Sequence, residues 1–305
     1  MKKKLILILL VILCASCTHN IVGNSIVIGS SRESILLGSS KIYAIDETGV
    51  EVSISPPFSD ASNAQWSPNR QWIVYQTQDI NSQLIIVKSD SSQKFTLTNN
   101  SYPCGLEPTW SPNGKQIAAY FCASDRQDGI YAVDVSCIAE GQDCMFDHHF
   151  IVEGRMPSWS SDGKQLTFWR AGNQVFVDSI ASPDNMKMVS PKDRDCYESA
   201  WSPLGDEIAM RCFVPYQGNN IFLVNSDGSN SRNITNNKSQ DALPTWSPDG
   251  TKIVFVSDRD PNLGKNIGNE VSSNAVYIMN SDGTDVKRIS PYDNERILWI
   301  DWVNP

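Results

Sequence analysis

The sequence predicts an all-β chain folded as a six-bladed β-propeller, and three observations carry that prediction. A Trp ends a short apolar segment six times, and the first five copies run into a turn: Trp66-Ser67-Pro68-Asn69-Arg70, Trp110-Ser111-Pro112-Asn113-Gly114, Trp159-Ser160-Ser161-Asp162-Gly163, Trp201-Ser202-Pro203-Leu204-Gly205 and Trp246-Ser247-Pro248-Asp249-Gly250. The sixth copy is truncated to Trp302-Val303-Asn304-Pro305. Successive Trp residues lie 44, 49, 42, 45 and 56 apart, the period of repeats built from about four strands. Finally, the ends complement each other. Residues 25–54 read as later strands with no first strand, whereas 296–302 read as a first strand with nothing behind it. Joined, the two ends supply the last blade and remove an open sheet edge.

The clearest repeat covers residues 242–290. Ala242-Leu243-Pro244-Thr245-Trp246 is a short first strand. In Ser247-Pro248-Asp249-Gly250, Pro presets φ, Asp bonds its own backbone and Gly accepts positive φ. Lys252–Ser257 is apolar and β-branched through its middle, as a strand buried on both faces should be. Ala275–Met279, an Asn280-Ser281-Asp282-Gly283 turn and Val286–Ile289 complete the unit. Lys287 and Arg288 suit an exposed outer strand. The same order recurs upstream, over Glu207–Met210, Asn220–Val224 and Ser231–Ile234, and more compactly over Gln165–Trp169 and Gln174–Val177. Arg70 stands where the other turns place Gly, so that turn is expected to be of another type or strained. At the N-terminus the strands expected are Ser25–Gly29, Ser34–Gly38, Lys41–Ile45 and Val50–Ile54.

Residues 1–16 read as an export signal. Lys2, Lys3 and Lys4 precede nine apolar residues, Leu5–Leu13, too few to span a bilayer core that takes about 20 helical residues. The run ends in Cys14-Ala15-Ser16-Cys17, which resembles a bacterial lipobox. The resemblance implies lipidation of Cys17; residues 17–25 would then be a tether before a propeller expected over 26–305. Past residue 16 there are 22 basic and 34 acidic residues, a net charge of −12. Such a surface repels phosphate backbones and anionic headgroups. Nucleic acid is therefore excluded as a partner, and membrane attachment should rest on acyl chains alone.

Six further cysteines follow Cys17. Cys104 and Cys122 are symmetric about Asn113, and Cys196 and Cys212 about Leu204; both centres lie three residues after a repeat Trp. Such pairs should face each other across one hairpin, where a disulfide fits. Cys137 and Cys144 bracket a short loop and make the third bridge. No C-x-x-C pair or ligand-spaced His accompanies them, which disfavours zinc. Three disulfides imply an oxidising compartment.

The Trp-Ser-Pro-Asp-Gly turn, the strand ending Ser257-Asp258-Arg259-Asp260, and the strand and turn over Val276–Gly283 resemble the WD40-like Pro-Asp repeats of TolB-like propellers. They are also similar to the propellers of prolyl-oligopeptidase-type peptidases, whose propeller is followed by an α/β-hydrolase domain that is not expected within these residues. The resemblance implies a monomeric cell-envelope scaffold that binds a protein or peptide.

Chemistry is sparse. Histidine occurs at His19, His148 and His149; adjacent residues on a strand point to opposite faces, so the pair is poorly placed to chelate one metal. No H-E-x-x-H, G-x-S-x-G or P-loop is present, and the Asp-Gly turns lack the acidic ladder of a calcium hand. The expectation is therefore no enzyme activity, no cofactor and no metal. Three residues before each Trp the chain places Asn63, Glu107, Met156, Glu198, Leu243 and Trp299 around one opening, with Arg155 and Tyr197 one position further out. Glu107, Arg155, Tyr197, Glu198 and Trp299 are the candidate binding residues of this channel mouth. Two loops outgrow the repeat: Asp258–Ser273, expected on the mouth face, and the disulfide-pinned Ser136–Phe146, expected opposite. Two alternatives have different chemistry. A carbohydrate-active propeller acting on oligouronates would use channel-mouth histidines with a metal, and a small sugar or peptide could bind reversibly at the Trp299, Tyr197 and Arg155 rim.

Overall fold

A computed structural model describes residues 25–30, 41–46, 51–54, 61–140, 144–170, 172–182, 185–261, 274–291 and 297–303. The expected export signal, Cys17 and most of the expected tether lie outside this set, as do the expected strand Ser34–Gly38 and residues 262–273 of the expected mouth-face loop. Among the described residues the regular elements are strands, with one 3-10 turn, Ser136–Glu140. The chain is an all-β propeller, and among the described residues its strands form six four-stranded sheets.

Five sheets are contiguous in sequence, each a meander of antiparallel neighbours. The first runs Ala61–Trp66, Trp72–Thr77, Leu84–Lys88 and Lys94–Thr96. The second begins at Cys104–Trp110, the third at Arg155–Trp159, the fourth at Cys196–Trp201 and the fifth at Ala242–Trp246. In the sixth, Ile297–Val303 pairs with Ser25–Ser30, which pairs with Lys41–Asp46 and then Glu51–Ile54. The register sets Ser25 against Val303 and Ile26 against Trp302. Four strands are thus complete without residues 34–38.

Apolar alternation explains the stacking. Six buried clusters occur among the described residues, each shared by two neighbouring sheets. Leu84, Ile86 and Trp110 join the first sheet to the second, and Trp159, Phe168 and Ile130 the second to the third. Trp201 with Val177, Trp246 with Leu223, and Trp302 with Val276 continue the series. Trp299 then packs on Ala61, Ile73 and Ile85 of the first sheet. No sheet could bury these side chains alone, so each is stable only against its neighbours. The repeat Trp residues also bond across the seams: the indole N–H of Trp110 donates to Gln65 O at 3.1 Å, Trp159 to Thr109 O at 3.2 Å, and Trp246 to Ala200 O at 3.0 Å.

The repeated turn is a small hydrogen-bonded box. Ser247 Oγ donates to Asp249 Oδ1 at 2.6 Å and accepts the Lys252 N–H at 2.9 Å, while Asp249 Oδ1 accepts the Thr251 N–H at 3.0 Å. The first three sheets repeat it through Ser67 with Asn69, Ser111 with Asn113, and Ser160 with Asp162. These hydroxyl donors hold the Asp162 and Asp249 carboxyls below the usual carboxylate range. Arg70 keeps the same turn instead of changing its type: its φ of 57° sits with Gly114 at 68° and Gly250 at 68°. The fourth turn departs, because Leu204 cannot accept those bonds. Its side chain lies over Gly250 of the next sheet, where a Cβ would stand 2.6 Å from Leu204 Cγ. Trp201 correspondingly donates to Gly205 O within its own turn.

Candidate channel-mouth site

Each of the first five sheets begins with a strand that breaks register two or three residues before its Trp. The residue at the break has positive φ every time: Asn63 at 48°, Glu107 at 57°, Met156 at 54°, Glu198 at 49° and Leu243 at 53°. None is Gly, so each conformation is held against its own preference by the surrounding structure. Three are followed by Pro, at Pro108, Pro157 and Pro244, which has no N–H to lose at a bulge.

The bulges turn these side chains toward one space. Asn63, Glu107, Met156, Glu198, Leu243 and Trp299 line a single cavity of about 350 Å³. A second cavity of about 360 Å³ shares Gln65, Pro157, Ser199, Pro244, Thr245 and Ile300 with it and ends among the repeat Trp residues. The two are successive segments of one channel bounded by the first strands.

Two carboxylates brace the mouth in the same manner. Glu107 Oε2 accepts the Met156 N–H of the next sheet at 2.8 Å, and Glu198 Oε2 accepts the Leu243 N–H at 2.9 Å. Their other oxygens face guanidinium groups: Glu107 Oε1 lies 3.8 Å from Arg155 Nε, and Glu198 Oε1 lies 3.1 Å from Arg211 Nη1. Arg155 in turn lies over Tyr120 at 4.6 Å, and Arg211 over Tyr197 at 5.0 Å. Burial pushes the Glu107 carboxyl up, Arg155 and the Met156 N–H pull it back, and Glu198 adds to the rise. Deeper in the channel, Asp301 accepts the Trp66 N–H at 3.2 Å. It retains some accessible surface, yet burial pushes its carboxyl up to about 6.

Glu107, Glu198 and Trp299 therefore line the mouth as the sequence predicts. Arg155 and Tyr197 stand behind it: Arg155 pairs with a lining carboxylate, and Tyr197 supports Arg211 and packs on Trp169. Sequence reasoning missed Arg211, which lies on a second strand opposite Tyr197, and Asp301, one residue before the last Trp. The repeat held the signal for Asp301, since the equivalent positions carry Gln65, Thr109, Ser158, Ala200 and Thr245.

All three expected disulfides are present. Cys104–Cys122 and Cys196–Cys212 join register partners, with Cα atoms 5.2 and 4.1 Å apart, and Cys137–Cys144 closes its loop at 5.6 Å. The first two pin the strands that carry Glu107 and Glu198. His148 is buried and stacked on Tyr102 at 4.0 Å, with burial lowering its pKa, while His149 is exposed. Among the described residues no group of three or more His, Cys, Asp or Glu is placed to hold a metal ion.

Residues 147–298 match the family described as TolB beta propeller domain. A Tol-Pal system protein TolB from Francisella tularensis is 26% identical over 196 residues, which covers 63% of this chain and 44% of that protein. The chain spans less than half the length of the curated relatives it matches. Among solved structures, TolB from Acinetobacter baumannii aligns with a TM-score of 0.68 at 15% identity, over 92% of this chain and 67% of that one. An oligogalacturonate lyase in complex with manganese aligns with a TM-score of 0.51 at 12% identity, over 83% of this chain and 72% of that one. At these identities both structures speak to the fold alone.

Proposed function

We propose that this TolB-like β-propeller repeat chain is a non-catalytic, lipid-anchored monomer of the cell envelope that takes a protein or peptide segment at its channel mouth. The ring is read as six blades closed by its own termini, supported by the six sheets and by the ladder between Ser25–Ser30 and Ile297–Val303. The observation that carries the binding reading is the braced mouth. Glu107 and Glu198 sit on disulfide-pinned strands, each fixed by a guanidinium and a peptide N–H, beside the buried Trp299. A rigid rim lowers the entropic cost of capture. Both carboxylates are committed to structural partners, which leaves neither poised for proton transfer. The names of the Tol-Pal relatives suggest a protein partner of that envelope system.

The test is site-specific photocrosslinking from the rim in intact cells, with the probe at Ile80 or Tyr216, both exposed loop-tip residues. One discrete adduct is expected, lost in the Glu107→Gln, Glu198→Gln double variant. Absence of any adduct, together with metal-dependent formation of unsaturated products from a polyuronate, would replace the scaffold reading by the lyase one.

A further inference from the structure

The register of the terminal sheet fixes the face of the ring from which the N-terminal segment leaves. Ser25 pairs with Val303, one residue past the last repeat Trp. In the other five sheets that end of the first strand carries the Trp-Ser turn. Residues before Ser25 therefore leave from the turn face, while Glu107, Glu198 and Trp299 line the opposite mouth.

From this geometry we infer that the anchored molecule sits with its turn face toward the lipid surface and its mouth toward the aqueous space. The inference rests on the reading of Cys17 as the lipidated residue. Eight peptide steps separate Cys17 from Ser25, which reach at most about 29 Å fully extended and about 16 Å as a flexible chain. To bring the mouth against the lipid, the same segment would have to pass around the ring. Ser25–Ser30 is the second strand of its sheet, with Lys41–Asp46 and Glu51–Ile54 outboard of it. Two strand spacings of about 4.8 Å and a first strand about 20 Å long already amount to about 30 Å before any side chain is cleared. The tether is too short. The mouth accordingly receives a soluble protein segment arriving from the aqueous side and not a lipid headgroup.

The test uses the full acylated chain on vesicles and a bulky polymer-linked maleimide. Single extra cysteines are placed on the turn face (Leu204→Cys, Val286→Cys) and on the mouth face (Ile80→Cys, Tyr216→Cys); all four positions are exposed. Native disulfide pairing is verified by mass. Labelling at Leu204 and Val286 is expected to slow several-fold on vesicles relative to detergent-released protein, with no change at Ile80 and Tyr216. A flexible Gly/Ser insertion after Asn20 should erase the difference. Equal rates at all four sites, or slowing at Ile80 and Tyr216, overturn the orientation. A chain whose N-terminal peptide carries no acyl mass sinks the anchor reading itself, and that outcome is read separately.

Discussion

At the scale of single residues, two side chains sit where their own chemistry is opposed by the fold. Arg70 occupies the left-handed conformation that Gly takes in the neighbouring turns, and its N–H bonds Ser67 O at 2.9 Å just as Gly114 bonds Ser111 O. A side chain there costs about 1 kcal/mol or more relative to Gly. Arg70→Gly is therefore expected to raise stability by about 1 kcal/mol, read as a higher urea midpoint with unchanged slope. Asp301 is the second case, its carboxyl raised from 3.8 to about 6. At low pH it is protonated in folded and unfolded chains alike and costs nothing. As pH rises from about 4 to about 6 the unfolded chain ionises first, so stability falls, and above that range the full penalty applies. Asp301→Asn should therefore gain about 3 kcal/mol at neutral pH, shrinking toward zero near pH 4. A gain independent of pH in thermal scans would refute the assignment.

At the scale of elements, the chain was readable where a repeat supplied symmetry. Cys104 with Cys122 and Cys196 with Cys212 were predicted because a hairpin turn is a mirror, and residues equidistant from it become register partners. The bulges were not read, although Pro108, Pro157 and Pro244 inside first strands are the mark of broken pairing. The positive-φ residue that follows Arg155 and Tyr197 in each strand sets the first beside the Glu107 carboxylate and the second under the Arg211 guanidinium. Arg211 was invisible for another reason: nothing in the repeat singles out its position on a second strand. The fourth sheet gives the matching prediction. Replacing Cys196 and Cys212 together by Ala removes a crosslink closing a loop of 16 residues, worth about 3 kcal/mol on the chain-entropy account. The loss should appear in denaturant unfolding and as faster hydrogen exchange at Glu198 and Leu243. Unchanged exchange there would mean the disulfide does not brace the mouth.

At the scale of the whole molecule, stability is a property of stacked neighbours. Ending the chain at residue 296 removes Trp299, Ile300 and Trp302 from two clusters, strips the partner from Ser25–Ser30 and uncovers Ala61 and Ile73. The expected result is loss of cooperative unfolding in calorimetry and exposure of apolar surface to a hydrophobic dye, rather than a smaller but intact ring. A sharp transition in the shortened chain would show that the other five sheets stand alone.

The pairing of Ser25–Ser30 with Ile297–Val303 also has a consequence in time. Ser25–Ser30 must wait for Ile297–Val303 to leave the ribosome before their ladder can form, so this seam closes late. Long-range closure of this kind is slow, and until then the nascent polypeptide keeps an unfinished edge.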